Sequence, residues 1–317
     1  MPRLSQIDDI LFPVEEHPVF VNLRMKSGER HLPVPYKKAI VNTKTNRVLG
    51  VVSRGYRLVT NTEALDWAYL CCSQVFSETK PDEWEVKASD APRSGGHCFI
   101  DLMHHSASLD FSLVQAENRP EVFGPFIRVT NSYNGLRALS FDIGYYRKVC
   151  TNGLILPQSI IRFKFNHMHR EIGEQIRFEI DDKRLKILKS SFTDYIGGLQ
   201  KCIVPRAYFE PLLCGALFIR KPKEINQKSK KIKDDWKNLN HHLNILSDHY
   251  FMELGNNAYA AFNAITDFAS HPPENSCLHR DRHSLQRLAG DWLSKFSQDC
   301  KKDDFKFLEY LGKLAEE

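Results

Sequence analysis

Basic and aromatic residues alternate between positions 145 and 170, a stretch that contains no Asp or Glu. Its cations and rings are Arg147, Lys148, Arg162, Lys164, Arg170, Tyr145, Tyr146, Phe163 and Phe165. Cationic side chains neutralise phosphates and flat rings stack on bases, so this composition is typical of surfaces that bind single-stranded nucleic acid. The stretch therefore predicts a nucleic-acid contact, with single-stranded DNA favoured as the partner.

A second interpretation of the same stretch stays open. If residues 161–165 form a strand, the alternation places Arg162 and Lys164 on one face and Phe163 and Phe165 on the other. An ordinary half-buried strand, with its polar face in water and its apolar face on a core, has the same pattern. The sequence alone does not separate a binding surface from a solvated strand.

Two further groups of residues extend the candidate interface. Upstream, the predicted contacts are Arg128, Tyr133 and Arg137. Downstream, a basic run covers residues 220–233, in which Glu224 is the one acidic residue. Its predicted contacts are Lys221, Lys223, Lys230 and Lys231. Such runs are often solvated faces, but beside an anionic polymer they raise affinity without adding specificity.

Signatures of common catalytic sites are absent from the sequence. It has no GxxxxGK[ST] loop, no GxGxxG, no HExxH and no GxSxG. An alternative function, a metal-dependent nuclease, would need carboxylates from distant positions such as Asp101, Asp110 and Asp142. The sequence favours a protein without catalytic activity, cofactor or bound metal, and a non-catalytic assembly protein that forms homo-oligomers is the other alternative.

Strands position these residues in the first half of the chain, and helices follow in the second. Apolar runs between Gly, Asn and Pro clusters predict strands at residues 38–43, 47–52, 57–60, 84–88, 97–103, 109–114, 126–131 and 136–143. One early helix is predicted over residues 62–77, because Thr60 and Glu63 have capping-box spacing. Helical periodicity predicts helices at residues 181–199, 206–219, 230–246, 258–270, 284–296 and 304–314.

This order of elements predicts an α+β fold, with an antiparallel β-rich N-terminal half and a helical C-terminal half. Three regions are expected: an N-terminal extension over residues 1–35, a β-rich core domain over residues 36–170, and a helical region over residues 171–317. The chain has 317 residues, 42% of them hydrophobic, which is enough to build a sizeable core.

The composition and the N-terminal sequence favour a cytoplasmic protein. Eight cysteines without a Cys-x-x-Cys motif indicate reduced thiols rather than a disulfide framework. The first residues include Asp8, Asp9, Glu15 and Glu16 where a signal peptide would be apolar, and no apolar run is long enough to span a bilayer. The net charge of +5 permits an anionic partner without requiring one.

Four short motifs carry a family resemblance, at residues 49–53, 129–135, 149–154 and 257–267. Their order along the chain resembles that in the phage/plasmid-like proteins grouped as domain of unknown function 932, over about residues 35–270. The resemblance implies a setting in phages, plasmids and integrating elements, and hence a role in DNA recombination or in conflict between element and host. It carries over no catalytic residues. The residues that match family motifs are Asn131, Tyr133, Asn134, Gly135, Cys150, Asn152, Gly153 and Asn263.

Overall fold

The protein is an α+β fold, as the sequence predicts. The computed structural model describes residues 7–25, 28–76, 79–91, 94–104, 109–116, 119–147, 153–154, 161–168, 173, 176, 178, 182–299, 306 and 309–312. Strands occupy most of the first half, together with one helix, and helices occupy the second half.

The strands of the described residues form two antiparallel sheets. The smaller sheet has the order β1-β2-β3, with bounds Val14–Met25, Gly28–Asn42 and Arg47–Ser53. The larger sheet has the order β10-β8-β7-β5-β4, with β6 paired to β7 and β9 paired to β8. Its strands are β4 Trp84–Asp90, β5 His97–His104, β6 Leu109–Ala116, β7 Arg119–Ser132, β8 Leu139–Arg147, β9 Gly153–Leu154 and β10 Ile161–Phe165.

The helices lie close to their predicted positions. Their bounds are α1 Asn61–Val75, α2 Asp182–Lys201, α3 Phe209–Ala216, α4 Lys230–Leu254, α5 Ala258–Ser270 and α6 Arg282–Asp299. The predicted capping box starts α1, because the Thr60 hydroxyl accepts from the Glu63 amide and the Glu63 carboxylate accepts from the Thr60 amide. No helix among these residues is long and apolar enough to cross a membrane.

Two predictions about the first half of the chain differ from the structure. Residues 57–60 are not a strand, because their backbone groups bond elsewhere: the Arg57 amide donates to the His167 carbonyl, and the Val59 carbonyl accepts from Asn131. The segment expected as an N-terminal extension contains all of β1 and the first part of β2. These two strands pair along almost their whole length and form a long hairpin.

The main core lies between one face of the larger sheet and the helices. In the sheet, cross-strand neighbours such as Ile100, Val129 and Phe141 are completely buried. Helix α5 is buried on nearly every side, because its many alanines let α4 and α6 approach closely. A separate small cluster around Ile40, Tyr56 and Tyr133 joins the two sheets.

Candidate functional site

A row of alternating charges crosses four neighbouring strands on the face of the larger sheet opposite the core. Asp101 of β5 lies opposite Arg128 of β7, Arg128 lies opposite Asp142 of β8, and Asp142 lies opposite Arg162 of β10. Directly paired residues of antiparallel strands point to the same face, so the four charged side chains are neighbours. The row places acid and base alternately, and every charge has an opposite charge beside it.

Arg128 and Asp101 form the buried end of this row. The guanidinium donates from Nε and Nη2 to the two carboxylate oxygens of Asp101, each at 2.6 Å. Its Nη1 donates at 2.9 Å to Gln286 of α6, and Gln286 donates at 3.2 Å to Ser270. The Arg128 side chain is 3% exposed. The residue therefore ties the sheet to helices α5 and α6 rather than facing solvent.

Arg162 forms the solvent-exposed end of the row. Its guanidinium is bidentate to Asp142, with Nη2 at 3.1 Å from one carboxylate oxygen and Nε bonded to the other. The Asp142 hydrogen bonds raise the pKa of Arg162, so this cation stays charged. The Arg162 side chain is 54% exposed although its partner is buried. It can therefore contact a ligand while it neutralises Asp142.

A second polar row lies one residue pair further along the same face. Thr130 of β7 lies opposite Ser140 of β8, and Ser140 lies opposite Lys164 of β10. Lys164 is exposed and makes no ion pair with any residue that the structure describes. The two hydroxyl groups and the ammonium group of this row can donate hydrogen bonds to phosphate oxygens.

Together the two rows and helix α6 form a cleft of about 360 Å³. The sheet supplies one side, the residues just before β8 supply the rim, and α6 supplies the opposite wall. The charged residues that line it are Arg128, Arg137, Asp142, Arg162, Lys164, Arg287 and Asp291. Cations outnumber carboxylates in this lining, which gives the cleft a positive character.

Arg137, at the rim of this cleft, has both an acidic and a basic neighbour. Arg137 is half-buried, with its guanidinium 5.3 Å from the centre of the Phe99 ring. Burial lowers the pKa of Arg137, Asp281 acts against this, and the nearby positive charge of Arg287 lowers it further. Arg137 therefore has an acidic neighbour as well as a basic one, and Asp281 offsets part of its positive charge.

The motif residue Asn131 forms a buried hydrogen-bond network with Asn61. The Asn131 side chain donates at 2.9 Å both to the Val59 carbonyl and to the Asn61 side chain. Asn61 in turn donates to the Ile10 carbonyl and accepts from the Cys98 thiol, and its amide donates to the Tyr133 hydroxyl. These groups are buried. Their side chains supply hydrogen bonds to the main-chain groups between β3 and α1, because no strand pairs with that segment.

The turn between β7 and β8 explains the motif residues Asn134 and Gly135. Asn134 accepts from the Ser132 hydroxyl and from the Leu136 amide, and Gly135 has a φ of +72°. A Cβ on Gly50 would lie 2.5 Å from the Cα of Asn134, so Gly50 allows the two sheets to touch. Asn263 is buried in α5 and donates to the Tyr259 carbonyl. The described motif residues therefore hold the fold together.

The family to which these motifs belong follows from a comparison with family models. The model described as "Domain of unknown function (DUF932)" matches residues 48–289, well over half of the chain. The chain belongs to the DUF932 family. No curated protein and no solved structure gives a match. The DUF932 region includes most of the cleft, while β1 and β2 precede it.

Within the DUF932 region, only some of the predicted nucleic-acid contacts reach the cleft as accessible groups. Arg137, Arg162 and Lys164 line it with exposed or half-buried side chains. Arg128 lines it from below but is buried against Asp101. The predictions for Tyr133 and Tyr145 are wrong, because both side chains are buried: Tyr133 lies between the sheets, and Tyr145 packs against Phe192.

The aromatic half of the predicted stacking surface also lies in the core. Phe163 and Phe165 pack edge-on against Phe178, on the core side of β10. Of the two interpretations of residues 161–165, the half-buried strand therefore accounts for the rings, and the exposed cations Arg162 and Lys164 stay available for an anion.

Other predicted contacts lie apart from the cleft or outside the described residues. Lys221, Lys223, Lys230 and Lys231 are exposed in the segment after α3 and at the start of α4. Tyr146 and Arg147 belong to β8, with side chains outside the described part of the structure. Outside the described residues altogether are Lys148, Cys150, Asn152 and Arg170. Gly153 pairs with Tyr146 in β9.

Of the three carboxylates that the nuclease alternative needs, the structure describes the side chains of Asp101 and Asp142. Asp101 and Asp142 each bond to an arginine, and Asp110 lies on β6 opposite Val122. Among the residues that the structure describes, no three His, Cys, Asp or Glu side chains come together as ligands for a metal ion. The residue that sequence reasoning missed is Arg287, which has no distinctive spacing and reaches the cleft only through the packing of α6.

Proposed function

We propose that this protein binds nucleic acid through the cleft between the larger sheet and α6. The observation that supports the proposal is the convergence of cations from three separate segments: Arg137 before β8, Arg162 and Lys164 on β10, and Arg287 on α6. A cleft that contains several arginines and a lysine favours phosphate groups as ligands. Thr130 and Ser140 add neutral hydrogen-bond donors to the same surface.

The mode of binding that this site favours is contact with the sugar–phosphate backbone. Because Phe163, Phe165 and Tyr145 pack in the core, base stacking on these rings is not part of the proposal. Contacts of this kind position a polymer and supply affinity, but they do not read its sequence. A role in recombination of a mobile element is a narrower form of the same proposal.

Binding of a labelled 20-nucleotide DNA strand, followed by fluorescence anisotropy over a series of salt concentrations, tests the cleft. The variant is Lys164→Gln/Arg287→Gln, whose two side chains are exposed and have no ion pair with a described residue. We expect affinity to fall about tenfold and the slope of log K against log salt to decrease by about 0.7 for each phosphate that is no longer neutralised.

The matched control is Arg184→Gln/Lys186→Gln, which removes two exposed cations from α2. It leaves the net charge equal to that of the cleft variant, so it reports the effect of charge alone. Equal affinities of the cleft variant and the control would contradict the proposal.

Adding Mg²⁺ or Mn²⁺ and measuring the length of the oligonucleotide tests the nuclease alternative in the same samples.

A further inference from the structure

The hairpin of β1 and β2 extends beyond the body of the protein as a two-stranded ribbon. The strands pair from Phe20 opposite Pro33 to Met25 opposite Gly28, whereas β3 pairs only with residues 37–42 of β2. Residues 20–24 and 28–31 are all exposed. A strand packed on one face shows burial at every second residue, so this run of exposed residues means that both faces of the ribbon lie in solvent.

The ribbon is basic. Between Phe20 and Pro33 it contains Arg24, Lys26 and Arg30 against one acidic residue, Glu29, while at its base Lys38 is paired with Glu16 at 2.7 Å. Arg24 approaches Glu29 at 3.5 Å, but this pair is fully at the surface and contributes little. Arg30 and Lys37 are exposed and form no ion pair with a described residue. The ribbon therefore presents more positive charge than its own residues neutralise.

Large apolar side chains accompany these charges on the ribbon. Phe20 is 52% exposed and Tyr36 is 68% exposed, and Val21 and Leu23 are also exposed. An isolated two-stranded hairpin in water is marginally stable, and exposed apolar groups on it mark a surface that contacts a partner. Between the apolar positions, His31 and Asn22 form a hydrogen-bonded pair of 2.5 Å.

We propose that this ribbon is a second nucleic-acid-binding element, which enters the major groove of a DNA duplex. The major groove is about 12 Å wide and 8.5 Å deep, and it admits a two-stranded β-ribbon. Six residue pairs at roughly 3.3 Å each give a reach of about 20 Å, enough to cross the groove. Arg24 and Arg30 contact phosphates at its edges, while Phe20 and Asn22, which share one face of the ribbon, face thymine methyl groups and base edges.

This inference rests on the proposed function and narrows it, because a ribbon of this width fits a duplex groove and not a single strand. The cleft and the ribbon are separate elements, so their contributions are separable. The ribbon also precedes the region of the chain that the DUF932 model matches.

The test measures anisotropy of one labelled 20-base-pair duplex and of each of its single strands, with the full chain. The ribbon variant is Arg24→Gln/Arg30→Gln, compared with the cleft variant Lys164→Gln/Arg287→Gln and the control Arg184→Gln/Lys186→Gln. We expect the ribbon variant to bind the duplex about tenfold more weakly, with a log–log salt slope reduced by about 1.8. Its affinity for the single strands should change less than twofold, whereas the cleft variant should weaken on both.

A competition experiment identifies the groove. Methyl green, which occupies the major groove, should displace the wild-type protein from the duplex, and netropsin, which occupies the minor groove, should not. Displacement by netropsin alone would overturn the assignment to the major groove.

Two other outcomes would overturn the proposal. In the first, the ribbon variant binds the duplex as tightly as the control while the cleft variant is impaired, which would leave the proposed function intact and remove the ribbon from it. In the second, light scattering shows that the wild type is a dimer and the ribbon variant a monomer with unchanged duplex affinity, which would make a second copy the partner of the ribbon. Wild-type protein that binds neither form of DNA would contradict the proposed function itself.

Discussion

Replacing Arg128 by methionine should destabilise the protein strongly. The Arg128 side chain is 3% exposed and that of Asp101 is 11% exposed, and they share two hydrogen bonds of 2.6 Å. Removing one partner of such a buried pair leaves the other charge uncompensated, which costs about 3–5 kcal/mol. Methionine keeps most of the side-chain volume, so the decrease in stability measures the charge and its hydrogen bonds rather than a cavity.

Urea unfolding, followed by tryptophan fluorescence, gives the free energy of unfolding of Arg128→Met and of the double variant Asp101→Leu/Arg128→Met. The double variant should recover to within about 2 kcal/mol of the wild type, because it leaves neither charge buried alone. A destabilisation below about 1 kcal/mol, or a double variant no more stable than the single one, would refute this reasoning.

Two further predictions concern close packing and pH. Gly50→Ala should destabilise the protein by about 1–3 kcal/mol, because the added Cβ would meet the Asn134 backbone. The control Gly197→Ala in α2, with open space around it, should be neutral or stabilising. Equal unfolding midpoints of the two variants in urea would contradict this prediction. Burial lowers the pKa of His167, so below pH about 6.5 the folded state binds fewer protons than the unfolded chain and stability falls as the pH drops. His167→Gln should make this fall shallower between pH 7 and pH 5, and parallel stability profiles of the two proteins would show that His167 does not contribute.

Local sequence patterns were sufficient for the elements of the fold whose signals lie within a few residues. Thr60 and Glu63 start α1, and Asn134 with Gly135 turns the chain between β7 and β8. Strand β1 was not predicted, because Glu15, Glu16, His17 and Pro18 interrupt any apolar alternation. Apart from Val14, which packs against the small cluster around Ile40, Tyr56 and Tyr133, its apolar residues are largely exposed, so hydrophobic periodicity had almost no buried face to detect.

The candidate site could be predicted only in part, because its geometry depends on strand register. Arg162 and Lys164 were recognised from composition, but nothing in their neighbourhood indicates that Asp142 pairs with Arg162. In the sequence, Arg128 looks available to a ligand, because only the pairing of β5 with β7 shows that Asp101 lies beside it. The alternation in β10 also did not show whether its aromatic face binds a ligand or packs on a core. The packing of Phe163 against Phe178 shows that this face lies in the core.

The alternating row of charges also helps to determine which alignment of the sheet can form during folding. A slip of β10 by one residue would turn Phe163 and Phe165 into water, so hydrophobic burial already excludes it. A slip by two residues leaves every apolar side chain on the core side, and burial alone does not exclude it. That slip would set Arg162 opposite Gly144 and Lys164 opposite Asp142, replacing a bidentate ion pair by a single ammonium contact. The pair between Asp142 and Arg162 therefore selects the native alignment of the edge strand from an alternative that has the same apolar pattern.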